Sequence, residues 1–201
     1  EFNDIDLHAG QIVVRPTHLS ICHADQRYYQ GVRPAEVLKE KLPMALIHEG
    51  LGEVLYDPTG TYQCGDTVIM IPNTPCEKDE VIAENYLRSS KFRASGFDGF
   101  MQEHVALDID RVVPVDDSID KVIAAFTELV SVSVHAIRRF DSIAHKRRKA
   151  VGIWGDGNLG YITAIFFKAM FPNTKLYILG VDQEKLSGFS FADDTFSVSD
   201  I

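Results

Sequence analysis

The sequence predicts an α/β protein: a β-rich, barrel-like domain over residues 1–130, then the opening strand–helix–strand unit of a parallel-sheet domain over residues 131–201. Three observations predict it. Short apolar or alternating runs bounded by Gly, Pro and Asp recur from Gln11 to Val115, as strands and turns do. Helical patterning takes over after Asp116. Finally, Ala150-Val151-Gly152-Ile153-Trp154 runs into Gly155-Asp156-Gly157-Asn158-Leu159-Gly160 and on into the apolar stretch Tyr161 to Met170, giving strand, glycine loop and helix in order.

Taken in order, Gln11-Ile12-Val13-Val14-Arg15 reads as a strand that Pro16 turns into a second segment ending at Cys22. A polar loop is expected from Tyr28 to Pro43, after which Met44 to Ile47 re-enters the core. Gly50 to Leu55 alternates as a strand, closed by the turn Asp57-Pro58-Thr59-Gly60. Cys64 to Met70 gives a turn and another strand. Residues 72–99 form a polar excursion with one amphipathic helix expected near Asp79 to Arg88. Strands return at Asp98 to Leu107 and Arg111 to Val115. Asp116-Asp117-Ser118 offers N-capping chemistry for a helix that breaks near Glu128 and continues to Phe140. Lys175 to Leu179 is the second strand of the parallel unit.

Composition bounds the function. The 201 residues are 45% apolar and 24% charged, enough for a good core. Twenty Lys and Arg against 29 Asp and Glu give a net charge of −9, which offers neither nucleic acid nor an anionic membrane a bulk electrostatic attraction. The basic run His145 to Lys149 reads as a solvated turn. Three scattered cysteines argue for a reducing compartment, with the cytoplasm as the default. The longest apolar stretch, Tyr161 to Phe167, is far shorter than the ~20 residues of a membrane span.

Chemistry gathers around Leu46-Ile47-His48-Glu49-Gly50-Leu51-Gly52. His48 is a candidate zinc ligand, Cys22 a second, and Glu128, a carboxylate interrupting an apolar run, a third. Thiolate, imidazole and carboxylate leave a fourth position open, as a catalytic zinc requires.

These residues carry a resemblance. Ser20-Ile21-Cys22-His23-Ala24-Asp25, His48-Glu49-Gly50-Leu51-Gly52-Glu53-Val54, Gly65-Asp66-Thr67-Val68, Asp98 to Glu103, Glu128 to Ala136 and the glycine loop follow one another as in the zinc-dependent medium-chain dehydrogenase/reductases. The likeness covers nearly the whole chain. Ala24 to Tyr29, Met70 to Pro75 and Ile153 to Gly160 resemble the ribulose-5-phosphate reductases in particular. The resemblance implies a GroES-like catalytic domain followed by part of a Rossmann domain, and reduction of D-ribulose 5-phosphate to D-ribitol 5-phosphate for CDP-ribitol and teichoic-acid or capsule synthesis. It implies one catalytic zinc at Cys22, His48 and Glu128, with Glu49 close to the metal. No structural zinc is expected, because only Cys76 lies where many relatives have four cysteines.

The family's members are longer, and this chain lacks an initiator Met, so it is expected to be part of a larger enzyme. Homodimerisation and a cytidylyltransferase partner are further expectations of the resemblance. The alternatives are an NAD-dependent polyol dehydrogenase and a non-catalytic dinucleotide-binding fragment.

In the glycine loop, Gly155 permits the turn, Gly157 lets pyrophosphate approach, and Gly160 lets helix and strand pack, with Asn158 and Leu159 opening the helix. At Gly180, where NAD-binding relatives place an acid for the ribose, a glycine removes a carboxylate that would repel a 2′-phosphate. NADPH is therefore favoured over NADH, with Lys185 as a phosphate partner, although Asp182 leaves an acid nearby. Relatives often carry Ser or Thr, and then His, at the positions of Ala24 and Arg27, so that relay is not expected here and water on the metal, aided by Glu49, is the expected proton donor. Arg27, Arg88, Lys91 and Arg93 are candidates for the substrate phosphate, and the zinc site is expected at the cleft between the domains.

Overall fold

The computed structural model describes residues 7–8 and 10–198. The chain divides into two compact units, Glu1–Glu128 and Leu129–Ile201.

The first unit is a five-stranded antiparallel sheet with excursions. β1 (Gln11–Ser20) is followed by α1 (His23–Tyr29), α2 (Ala35–Lys41), β2 (Glu49–Tyr56), β3 (Thr67–Met70), β4 (Asn73–Thr74), β5 (Lys91–Phe92), β6 (Val105–Asp108) and β7 (Val112–Pro114). The strand order is β6-β1-β2-β3-β7, with β4 and β5 as a separate pair. Pro16 does not end β1. The strand runs through it with a register shift between Pro16 and His18, where the missing N–H is absorbed as an irregularity. The expected loop from Tyr28 to Pro43 also contains α2, and α1 holds its beginning.

Ile12, Val14, Val54, Val68 and Met70 alternate inward on β1, β2 and β3, and Phe100 and Leu107 complete the core they form. β1 and β2 approach closely because of Gly52: a Cβ there would lie 2.5 Å from the Arg15 carbonyl oxygen and 2.6 Å from Val14 Cγ1. Gly52→Ala is expected to cost about 1–3 kcal/mol, read by denaturant unfolding, because backbone cannot yield as a side chain does. An unchanged unfolding midpoint would show that β1 gives way at no cost.

The amphipathic helix expected near Asp79 to Arg88 is not formed; a single 3₁₀ turn, Glu84–Tyr86, stands there. Asp79 accepts from the N–H groups of Val81 and Ile82 in an N-cap pattern, but Val81, 92% exposed, and Ile82 bury no apolar face against the fold, so nothing carries a helix beyond its start. Asp116 closes a turn onto Ser118, and Asp120 is the residue that caps α3 (Lys121–Ala124), accepting from Val122 and Ile123. The helical break falls at Ala125 and Phe126, after which α4 (Thr127–Ile143) begins with Glu128 in its first turn.

The second unit begins with the remainder of α4. β8 (Ala150–Trp154), α5 (Asn158–Met170), β9 (Lys175–Gly180), α6 (Gln183–Ser187) and β10 (Asp194–Ser197) form a parallel sheet in the order β10-β9-β8. Its core is Leu176 and Ile178 of β9 with Ile137, Ala164, Phe167, Leu186 and Phe189. Among the described residues β8 pairs with β9 alone, and Trp154 at its end is 74% exposed. No described helix is long and apolar enough to cross a membrane.

Candidate metal centre and dinucleotide loop

The metal-ligand candidates converge in the first unit. Cys22 stands at the N-cap of α1 where β1 has just ended, and His48 and Glu49 lie at the start of β2. Cys22, Asp25 and His48 form one group whose ligand atoms lie within 4.8 Å of one another, and His48, Glu49 and Glu128 form a second. His48 is shared by both. The donors are a thiol, an imidazole and carboxylates, the set that zinc takes.

Burial makes the cluster chemically demanding. Glu49 is 1% exposed and His48 7%, with Glu49 Oε1 lying 3.7 Å from His48 Nε2. Burial raises the Glu128 carboxyl; His48 pulls it back, and Glu49 pushes it further up. Burial also raises the Cys22 thiol, an effect that the Ala24 N–H opposes and the carboxylates of Glu49 and Asp25 reinforce. Asp25, Glu49 and Glu128 gather negative charge around one imidazole, which a bound cation would offset.

Asp25 organises the cluster, and the sequence alone left it without a role. It is 3% exposed. Its Oδ2 accepts from the Cys22 N–H at 3.1 Å and its Oδ1 from the Ile47 N–H at 2.9 Å, while Oδ1 lies 3.7 Å from His48 Nδ1. One carboxylate thus ties the backbone beside one candidate ligand to the backbone before another, and turns the imidazole so that Nε2 faces Glu49. The Phe92 ring, 5.2 Å from the imidazole centroid, holds its flank. Ile47 is held at φ 70°, a left-handed conformation rare for a β-branched residue. It is clamped on both sides, its N–H by Asp25 and its carbonyl by the Phe100 N–H at 2.6 Å.

Burial works to raise the Asp25 carboxyl, but His48, the Ile47 N–H and the Cys22 N–H together hold it below the ordinary carboxylate range. Its stabilising contribution is therefore present above the carboxyl's unfolded pKa and is lost as pH falls through the depressed folded value. Burial lowers the His48 pKa, yet Asp25 outweighs it and the imidazole ends up raised. Asp25→Asn is expected to weaken metal affinity by about 10–100-fold and to flatten this acid limb. Chelator competition and acid unfolding test both, and wild-type values in each would remove Asp25 from the site.

The phosphate candidates differ in their settings. Arg27 is half-buried on α1, only a few residues beyond Cys22, while Arg88 and Lys91 are exposed. Arg93 is committed to the fold. Its guanidinium donates to the carbonyls of Asp98 and Ala106 and stacks near the rings of Phe97 and Phe100, with burial lowering its pKa.

In the second unit, Gly155 has φ 135° and joins β8 to the loop, and Gly157 is the N-cap of α5. A Cβ on Gly160 would overlap the Gly155 carbonyl, so the first turn of α5 closes onto the loop only with glycine there. Asn158 and Leu159 open α5, so its unpaired N–H groups lie at the loop. This arrangement suits a dinucleotide pyrophosphate. Gly180 ends β9 without a carboxylate of its own, and the Asp156 carboxylate occupies the space that a side chain there would take. Asp182 caps α6 through Glu184 and Lys185, and Lys185 Nζ lies 3.6 Å from it.

Residues 8–117 match the family profile of the alcohol dehydrogenase GroES-like domain. Over 200 residues, all of this chain and 59% of the relative, the chain is 54% identical to ribulose-5-phosphate reductase of Bacillus spizizenii. Over the same span and coverage it is 55% identical to ribulose-5-phosphate reductase 1 of Staphylococcus aureus. The fold superimposes on S. aureus TarJ in complex with NADPH with a TM-score of 0.80 and 47% identity, covering 99% of this chain and 55% of that one. The chain therefore spans about 59% of the length of these curated relatives.

Proposed function

Because this chain belongs to the alcohol dehydrogenase GroES-like domain family, we propose that the whole enzyme reduces D-ribulose 5-phosphate to D-ribitol 5-phosphate, with NADPH as hydride donor and one zinc held by Cys22, His48 and Glu128. The observation that carries the proposal is the pair of ligand groups that share the buried His48, one with Cys22 and one with Glu128, in a chain 54% identical to a ribulose-5-phosphate reductase. A zinc ion bound there supplies a Lewis acid for the substrate carbonyl. The cofactor supplies the hydride.

The chain's own residues do the rest. Asp25 sets the imidazole, and Glu49 keeps a buried carboxylate at the ligand set. Ala24 carries no hydroxyl, so no proton relay passes through that side chain, and Glu49 is the acid placed to handle a proton nearby. Arg27, on the helix that Cys22 opens, is proposed for the substrate phosphate, where a planar guanidinium can make paired contacts. NADPH is supported by its presence in the S. aureus TarJ structure. Supply of a ribitol phosphate for CDP-ribitol and teichoic acid, homodimerisation and a cytidylyltransferase partner belong to the same proposal.

NADPH oxidation by the whole enzyme with ribulose 5-phosphate, before and after chelation, tests it. Turnover that is chelator-sensitive and needs both NADPH and the phosphate ester is expected. Equal turnover with NADH and the unphosphorylated ketose would overturn it in favour of polyol chemistry.

A further inference from the structure

β9 ends at Gly180, the place from which a doubly wound domain commonly reaches the adenosine ribose with a side chain. Here a Cβ on residue 180 would lie 2.7 Å from Asp156 Cβ and 2.5 Å from its Oδ2. The volume of that missing side chain is filled from the glycine loop. Asp156 Oδ2 accepts from the N–H groups of Val181 and Asp182, each at 2.7 Å, and so fastens the loop to the turn after β9. The Gly155 N–H donates to the Leu179 carbonyl at 2.8 Å, a second tie between the same two segments.

These bonds decide what the turn can offer. The N–H groups of residues 181 and 182 already serve Asp156 and are not open donors for a ribose phosphate. The Asp182 carboxylate is engaged with Glu184 and Lys185 as a helix cap. The carboxylate at the end of β9 therefore belongs to Asp156, twenty-five residues before Val181.

We propose that Asp156 positions the turn that receives the cofactor's adenosine ribose, and that Asp156 and Gly180 form one specificity-determining pair in which only one position can carry a side chain. The proposal rests on reading this loop as the dinucleotide site. It implies that an acid cannot be placed at 180 in the manner of NAD-binding enzymes without displacing Asp156 and opening the turn.

The test is fluorescence titration of the complete, metal-loaded enzyme with NADPH and with NADH, beside its thermal unfolding without cofactor. Asp156→Ala is expected to weaken NADPH about tenfold, the equivalent of one charge-assisted hydrogen bond. Asp156→Asn, which keeps an acceptor for both N–H groups, should lose clearly less. Gly180→Ala should weaken binding comparably to Asp156→Ala, and combining it with Asp156→Gly should add no further loss, because the two positions share one volume. Additive losses, or wild-type affinity in Asp156→Ala, would overturn the pairing. So would a loss matched by a fall in the cofactor-free unfolding temperature, which would make Asp156 a residue of the fold alone. Failure of the unmutated enzyme to bind either cofactor would instead overturn the dinucleotide reading, and it needs no variant to be seen.

Discussion

Replacing His48 with alanine is expected to strip the whole enzyme of the proposed zinc and to lower the proposed turnover about a thousandfold or more, since Lewis-acid stabilisation is worth several kcal/mol. The size of the effect follows from the position of His48. It is the member common to both ligand groups, whereas Cys22 and Glu128 each belong to one. Its removal also leaves Asp25, 3% exposed, facing an empty space where the imidazole stood. Elemental analysis and steady-state rates on the same preparation test the claim. Full metal content with low turnover would leave His48 catalytic but not a ligand, and full content with full turnover would remove it from the site. Cys22→Ser and Glu128→Ala should lower metal content in the same assay.

Phe100→Ala is expected to destabilise the first unit by about 3–5 kcal/mol, the usual cost of emptying an aromatic site in a packed core. Phe100 is 0% exposed, sits among Ile12, Val54 and Met70, and lies 5.7 Å from the Arg93 guanidinium. Its N–H also holds the Ile47 carbonyl, so core and ligand loop are joined at this residue. Loss of stability should therefore be accompanied by weaker metal retention even below the unfolding transition. Phe100→Leu, which refills much of the volume, should recover most of both. A loss under about 1 kcal/mol would mean that the core closes over the gap.

Much of this was legible from residue order. The strand, glycine loop and helix from Ala150 to Met170 are marked locally, because turn, cap and apolar stripe all lie within one short stretch. Alternation after His48 marked β2 in the same way. Aspartates were harder to place. Asp25, Asp79, Asp116, Asp120 and Asp156 look alike in sequence, and each has a carboxylate that can bond to any N–H within reach. Asp79 and Asp116 close local turns, and Asp120 caps a helix. Asp25 and Asp156 reach N–H groups 22 and 25 residues away, distances that only the folded sheets make short. The helix expected near Asp79 failed for a different reason: Val81 and Ile82 stay exposed, so no buried apolar face carries the chain beyond a capped first turn.

β8 has a further consequence for the behaviour of these 201 residues in solution. Among the described residues its backbone is paired on one side only, and the exposed Trp154 ring stands at its end. Such an edge is a template on which another extended segment can add, with backbone N–H and C=O groups ready to be matched. Five residues make a short template, and a net charge of −9 sets identical copies against one another. Salt screens that repulsion and leaves the backbone groups unchanged, so the colloidal stability of the isolated chain should fall as ionic strength rises.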